Sequence, residues 1–332
     1  MATYYWFGGT GNWDTTNTHW SLTSGNSGGV LAPNAPTSAD DVVFDSASNA
    51  TAYTVTLTTT PTCRSVTIAG PASGNVTVAG SAAWSIYGNL TFPASGMTRT
   101  FTSTLSLAGT ISRTITTNGV SLAASITMNC STGVVTLGSA LTTSGNLQLT
   151  NGTFDTSSTG NYSVSCGLIS LNAGTKTLNL NSSTITLSTG GGTIGWIGTP
   201  ASGFTFNSGA STINCSASSV SIATLGVTFY NLSFTSVAST SAHTISGVNT
   251  FNNLSFVTPT TEGFKTVTFS NNQTINGTLT TYSGNTQASR RISFLSGTYG
   301  TPITLTAASV SLTDTDFMDI IGAGAATWSG TR

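Results

Sequence analysis

This sequence is short of charge. Only 5% of its 332 residues are Asp, Glu, Lys or Arg, against roughly 25% in ordinary soluble domains. Eight basic residues, scattered along a chain of net charge −1, cannot assemble the basic patch that neutralises phosphates, so nucleic acid is excluded as a partner. Nine acidic residues are equally too few for an acidic disordered tail. Long hydrophobic runs are missing as well. None approaches the roughly 20 apolar residues of a membrane helix, so no membrane insertion is expected. The stretch from Met1 to Trp6 has neither the basic nor the apolar segment of a secretory leader, and conventional export is not expected. The four cysteines, Cys63, Cys130, Cys166 and Cys215, are too widely spaced for zinc or thioredoxin motifs. Three of them follow an apolar residue by two positions, which places them on the apolar face of a strand as buried free thiols. No motif demands a cofactor.

What fills the sequence instead is hydroxyl and glycine. Roughly a third of the chain is Thr plus Ser, with 37 Gly besides, a composition that disfavours helix. From residue 52 to about 313 the chain is a series of short alternating segments, such as Tyr53-Thr-Val-Thr-Leu57, Val76-Thr-Val78, Leu147-Gln-Leu149 and Ile185-Thr-Leu187. Each has period two and ends in Gly, Asn, Ser or Pro. The fold class is all-β.

Repeats select the architecture. Phe229-Tyr-Asn231-Leu232-Ser-Phe234 recurs as Phe251-Asn-Asn253-Leu254-Ser-Phe256, with a looser Ile275-Asn-Gly-Thr-Leu279 about one period on. Upstream, Ser65-Val66-Thr-Ile68 recurs at a slightly longer spacing as Asn89-Leu90-Thr-Phe92. A sandwich explains alternation but not so nearly constant a period. One coil of a right-handed parallel β-helix (solenoid) explains both, and predicts about a dozen coils at the inter-strand spacing of about 4.8 Å. Leu and Phe should stack inward as ladders, with the repeated Asn at a corner bonding its neighbours in adjacent coils. The predicted organisation is a cap over 1–50, the solenoid over 51–313 and a separate C-terminal segment over 314–332.

The first 50 residues differ in kind. Trp6, Trp13 and Trp20 fall seven apart in Trp6-Phe-Gly-Gly-Thr-Gly-Asn-Trp13, and after two prolines comes Asp40-Asp41-Val42-Val43-Phe44-Asp45. This pattern resembles the N-terminal capping segment of β-solenoid proteins found among bacterial surface adhesins and phage virion proteins. The Asn-Leu-x-Phe repeats and the closing Asp314-Thr-Asp316-Phe317 are similar to repeat-rich phage structural proteins. The resemblance implies a structural or adhesive role at a virion or cell surface and carries no catalytic residue. The missing leader favours the phage, whose particles are released by lysis.

Each candidate for chemistry has a plainer alternative. Asp314 and Asp316, with Asp319 nearby, would project from one strand face about 7 Å apart, within the range of glycosidase carboxylate pairs; the alternative is a set of exposed turn residues. The elements of solenoid pectinases, His-Gly and Arg-x-Lys, are missing, and a non-enzymatic protein is expected. Asp40, Asp41 and Asp45 carry oxygen enough for calcium, but suit a cap strand whose acids face water or bind backbone N–H groups. Trp6, Trp13 and Trp20 form either a sugar-stacking platform or a core plug. The adjacent pair Arg290 and Arg291 meets a partner or, more simply, water. His19 and His243 have no Ser or Cys triad around them, and Gly190-Gly191-Gly192 precedes no helix and so is a loop.

The expected molecule is therefore a phage structural protein on the particle surface. A tail fibre or spike binding host glycan and a head decoration protein are both compatible, as is, more remotely, a depolymerase or bacterial adhesin. Other virion proteins and a homotrimer of the chain are the expected partners. The closing stretch from Trp328 to Arg332 shows no obvious cap, so a partner is expected to cover it.

Overall fold

A computed structural model describes residues 1–25, 29–122, 124–189, 195–197, 203–223, 226–282, 290–328 and 330–331, with backbone only for 195–197 and 330–331. The Gly190-Gly191-Gly192 run lies outside the described residues. Those residues are all strand and turn, and no helix among them could cross a membrane. Stacked parallel strands form a β-solenoid of about 11 turns. The chain divides into two compact units, residues 1–164 with 174–177 and residues 165–173 with 178–332.

Unit 1 stacks its strands in three columns. In the first, Val42, Val66, Leu90, Ile115 and Leu137 stand side by side on successive parallel strands. In the second, Cys63, Ile86, Leu107, Met128 and Leu149 do the same. The third runs through Gly11–Trp13, Tyr53–Leu57, Val76–Gly80 and Met97–Arg99. Period-two alternation makes each column apolar inward and hydroxylated outward, and burying each Val, Leu or Ile is worth roughly 1.5–3 kcal/mol. The upstream repeat holds in register, with Val66 beside Leu90 and Thr67 beside Thr91.

The cap of unit 1 is built from three strands. Thr3–Trp6 runs parallel to Asp41–Phe44 on one side and antiparallel to Trp20–Ser21 on the other. Gly8 and Gly9 take the left-handed backbone, at φ 81 and 74, that the turn after Trp6 requires. Gly11 lies directly under the His19 ring, where an added Cβ would sit 2.0 Å from Nε2. That close approach explains the Trp-x-Gly-Gly-x-Gly spacing.

Unit 2 repeats the principle with larger side chains. Ile185, Ile213, Leu232, Leu254, Leu279 and Val310 form one column. Beside it the Phe229 and Phe251 rings stack with centroids 5.3 Å apart, and Phe234 and Phe256 at 4.9 Å. The Phe-x-Asn-Leu-Ser-Phe repeat is thus one coil, aligned residue for residue. Its looser third copy is in place but bulged: Phe251 faces Ile275 and Leu254 faces Leu279, leaving one extra residue between. Gly277 sits in that bulge, where a Cβ would meet the Asn252 carbonyl at 2.5 Å. Elsewhere longer loops stretch the period, so that Ile185 takes Ile213 as its register partner.

The segment over 314–332 does not stand apart. Thr315–Met318 pairs with Arg290–Ser296, and both Ile320–Ala323 and Gly330–Thr331 pair with Ile303–Thr313. Trp328 lies across Gly322 and meets Phe317 edge to face at 6.3 Å. Phe317, Met318 and Ile321 nevertheless stay 46%, 42% and 51% exposed.

Candidate functional site

The three C-terminal acids do not form the expected pair on one strand face. Asp314 sits between two strands in left-handed backbone, φ 49, and is 4% exposed, whereas Asp316 lies on the following strand. Arg291 gathers both: its Nε and Nη2 hold the Asp316 carboxylate, and Nη1 lies 3.9 Å from Asp314 Oδ1. Asp319 turns away to accept the Gly300 N–H at 2.7 Å. A glycosidase needs one free acid and one free base or nucleophile. These carboxylates instead fasten the last coils.

Nor does Arg291 belong to a solvated basic pair, because it is mostly buried in that ion cluster. Arg290 is half-buried, and its Nε and Nη1 lack a hydrogen-bond partner among the described residues.

The acids of the cap are also committed to the chain. Asp40 accepts from Ala2 N at 3.0 Å, Thr37 N at 3.2 Å and Thr37 Oγ1 at 2.7 Å. Burial pushes its carboxyl up, but the bonds from Thr37 and Ala2 prevail and leave it below its ordinary value. Asp41 grips the Arg64 guanidinium through both oxygens. Asp45 accepts from Ser24 Oγ at 2.7 Å and Ala47 N at 3.0 Å. The three carboxylates are divided among separate partners, and no group of three acidic, His or Cys side chains suited to a metal converges among the described residues.

Trp6, Trp13 and Trp20 are plug and not platform. All three are at most 1% exposed, so no ring face is open to a sugar. Trp20 meets Trp6 and Trp13 edge to face at 5.1 Å each, and Trp13 reaches Trp84 at 5.5 Å. The thiols of Cys63, Cys130, Cys166 and Cys215 are buried and form no disulfide with one another, and burial pushes the Cys215 thiol up to about 12, which removes its thiolate reactivity near neutral pH.

Several surface features could seat a ligand, among them a cleft of about 570 Å³ lined by Met97, Arg99 and Asn118 in unit 1; two more bear on the cap and the repeats. The first is a cleft of about 460 Å³ in unit 1, between the cap loop at 34–38 and the turn at 59–62. The charged residue in its lining is Asp14, whose carboxylate already accepts from Thr16 N and Oγ1. The second is one sheet face of unit 2. Its outer positions form two columns, Thr184, Thr212, Asn231, Asn253, Thr278 and Ser309 in one, and Thr186, Asn214, Ser233, Ser255, Thr280 and Ser311 in the other. All twelve are hydroxyl or amide side chains. Asn253 donates to Asn231 Oδ1 at 2.9 Å, Asn231 to Thr212 Oγ1 at 3.1 Å and Ser255 to Ser233 Oγ at 2.9 Å. The amide ladder expected from the repeats is therefore present, and Tyr282, 46% exposed, stands in the next column outward.

Sequence reasoning missed the buried bases. Arg113, Lys176 and Lys265 are buried and bond main-chain carbonyl oxygens, as does the half-buried Arg99, so that half of the eight basic residues are spent on the backbone. Lys265 is fully buried and donates to Ser236 O and Val257 O, and burial pulls its ammonium down to about 8. His243, 1% exposed, accepts the Val220 N–H on Nδ1 at 3.2 Å. Burial and then the Lys265 charge bring it down to about 3. The signal was alternation itself: Lys265 is in phase with Val267 and Phe269, and His243 with Ile245.

Comparison with family models, curated proteins and solved structures returns no match. The class that the structure defines is a capped parallel β-solenoid with an uncharged, hydroxyl-rich face.

Proposed function

We propose that this protein is a structural, non-enzymatic component exposed on a phage particle, of the tail fibre or spike type, that holds host glycan against its polar solenoid face. The observation that carries this reading is the twelve-position face of unit 2. Seven of its twelve side chains are tied to a neighbour along the stack, so they present fixed donors and acceptors that lose little freedom on binding. Neutral sugars offer the complementary hydroxyls, and Tyr282 adds a ring against which a pyranose can lie. The phage setting is supported by the resemblance of the Trp6-to-Asp45 cap pattern. Side-by-side self-association, as a homotrimer, belongs to the same reading.

Immunogold electron microscopy with antibody to this chain tests the setting. Label at the tail is expected. Label over the head would replace adhesion with capsid decoration, and unlabelled particles would return the protein to a bacterial surface. Binding of the chain to arrayed neutral and anionic polysaccharides tests the ligand, with neutral chains expected to be retained. A solution mass of one chain, 33.6 kDa, would remove the trimer.

A further inference from the structure

We infer that His243 and Lys265 make the coil they share an acid-sensitive joint, which stays shut near neutral pH and opens locally as pH falls. The inference stands on how the two bases are housed. His243 lies on Ala242–Ser246, with Val267 of Gly263–Phe269 as its register partner. The Phe234 ring covers it at a centroid distance of 4.7 Å. Its Nδ1 is occupied by the Val220 N–H, while Nε2 is buried with no hydrogen-bond partner among the described residues. With Nδ1 accepting, the neutral ring carries its proton on Nε2, so a second proton must enter at Nδ1, where it would displace the Val220 N–H and leave two buried ring N–H groups without acceptors.

The neighbours make that proton less welcome still. The preceding strand contributes Val220 and Ile222, the adjacent sheet Phe234, and the following strand Val267 and Lys265. Lys265 is the charged group among them, and its ammonium is fixed on the Ser236 and Val257 carbonyls. Protonation would set two cations in one buried site whose named neighbours include no carboxylate, so no anion offsets their repulsion or the desolvation of the imidazolium.

Opening the coil releases both constraints at once, because the exposed imidazole regains its ordinary affinity for a proton. The closed imidazole is a base held low, so its contribution to stability is complete above pH 6.5 and is lost as pH falls towards about 3. Each unit of acid in that window raises the open population about tenfold. The inference is independent of any ligand and of the particle on which the chain resides.

Hydrogen exchange of the full chain, corrected for intrinsic pH dependence and read at Ala242–Ser246 and Gly263–Phe269, tests it. Opening is expected to rise about 50-fold between pH 6.5 and 4.5. In His243→Asn, whose amide oxygen can still accept the Val220 N–H but does not titrate, the rise should shrink to less than threefold. The chain has only two histidines, so nitrogen NMR of the imidazoles reads the same point without a substitution. His243 should remain neutral at pH 5 while these strands are closed. An equal rise in the wild type and His243→Asn, or a protonated His243 in the closed coil at pH 5, would overturn the proposal.

Discussion

The two units solve the same problem, a narrow interior between stacked sheets, in different ways. Near its cap, unit 1 fills the interior with indoles that meet edge to face at steep angles, 85° between Trp6 and Trp20 and 70° between Trp13 and Trp20. Unit 2 lays phenyl rings nearly flat on one another in its repeat coils, 9° between Phe229 and Phe251 and 11° between Phe234 and Phe256, and turns them edge to face towards its last coils, 88° between Phe269 and Phe294 and 77° between Phe294 and Phe317. A flat stack continues from coil to coil because each rung reproduces the last. An edge-to-face cluster does not reproduce itself, so it suits a place where repetition must stop. The same chain thus contains an element for propagation and an element for termination.

That contrast can be broken by substitution. Trp13→Ala removes the ring that joins Trp20, Phe44 and Trp84, and should cost about 3–5 kcal/mol in denaturant unfolding. If the units unfold separately, the loss will appear in the transition of unit 1 alone; an equal shift in unit 2 would show that they melt together. Phe256→Leu keeps a rung apolar but removes its stacking on Phe234, and a loss of about 1 kcal/mol is expected, since near-isosteric swaps are tolerated. A cost comparable to that of Trp13→Ala would mean that the ladder terminates as strictly as the plug.

Smaller changes sharpen the picture. Asn253→Ala deletes the donor to Asn231 and the acceptor for Thr278 N, at an expected cost of about 1 kcal/mol by thermal melting. Asp316→Asn weakens a half-exposed ion pair with Arg291 and should cost less than about 1 kcal/mol. The same variant should leave any clearing of host capsule unchanged. A loss of clearing would restore the carboxylates to chemistry.

Much of the fold was legible because a parallel solenoid writes its register into the sequence. Leu232 and Leu254 are neighbours for the same reason that their motifs repeat, and the bulge at Gly277 is visible as one extra residue in the third repeat. The plug was legible as an alternative, since three Trp among glycines have few other uses. The acids were not. Spacing in sequence placed Asp314 and Asp316 on one face, but left-handed backbone at Asp314 breaks the strand between them, and nothing local reveals that Arg291, far from Asp316 along the chain, will stand on the adjacent rung. Long-range partners of charged groups depend on loop length, which in this chain varies from coil to coil. The buried bases were overlooked because charge was assumed to face water, although their phase in the alternation said otherwise.

The inward-turned basic side chains have a consequence for survival among digestive enzymes. Trypsin must draw a Lys or Arg side chain into a deep pocket before it cuts. Arg113, Lys176 and Lys265 are each at most 3% exposed, while Arg64 and Arg291 are clamped by aspartates. Cleavage at these points must wait for a coil to open. With three of its eight basic side chains locked inside the stack and two more clamped by aspartates, the folded chain is expected to resist trypsin at those five points.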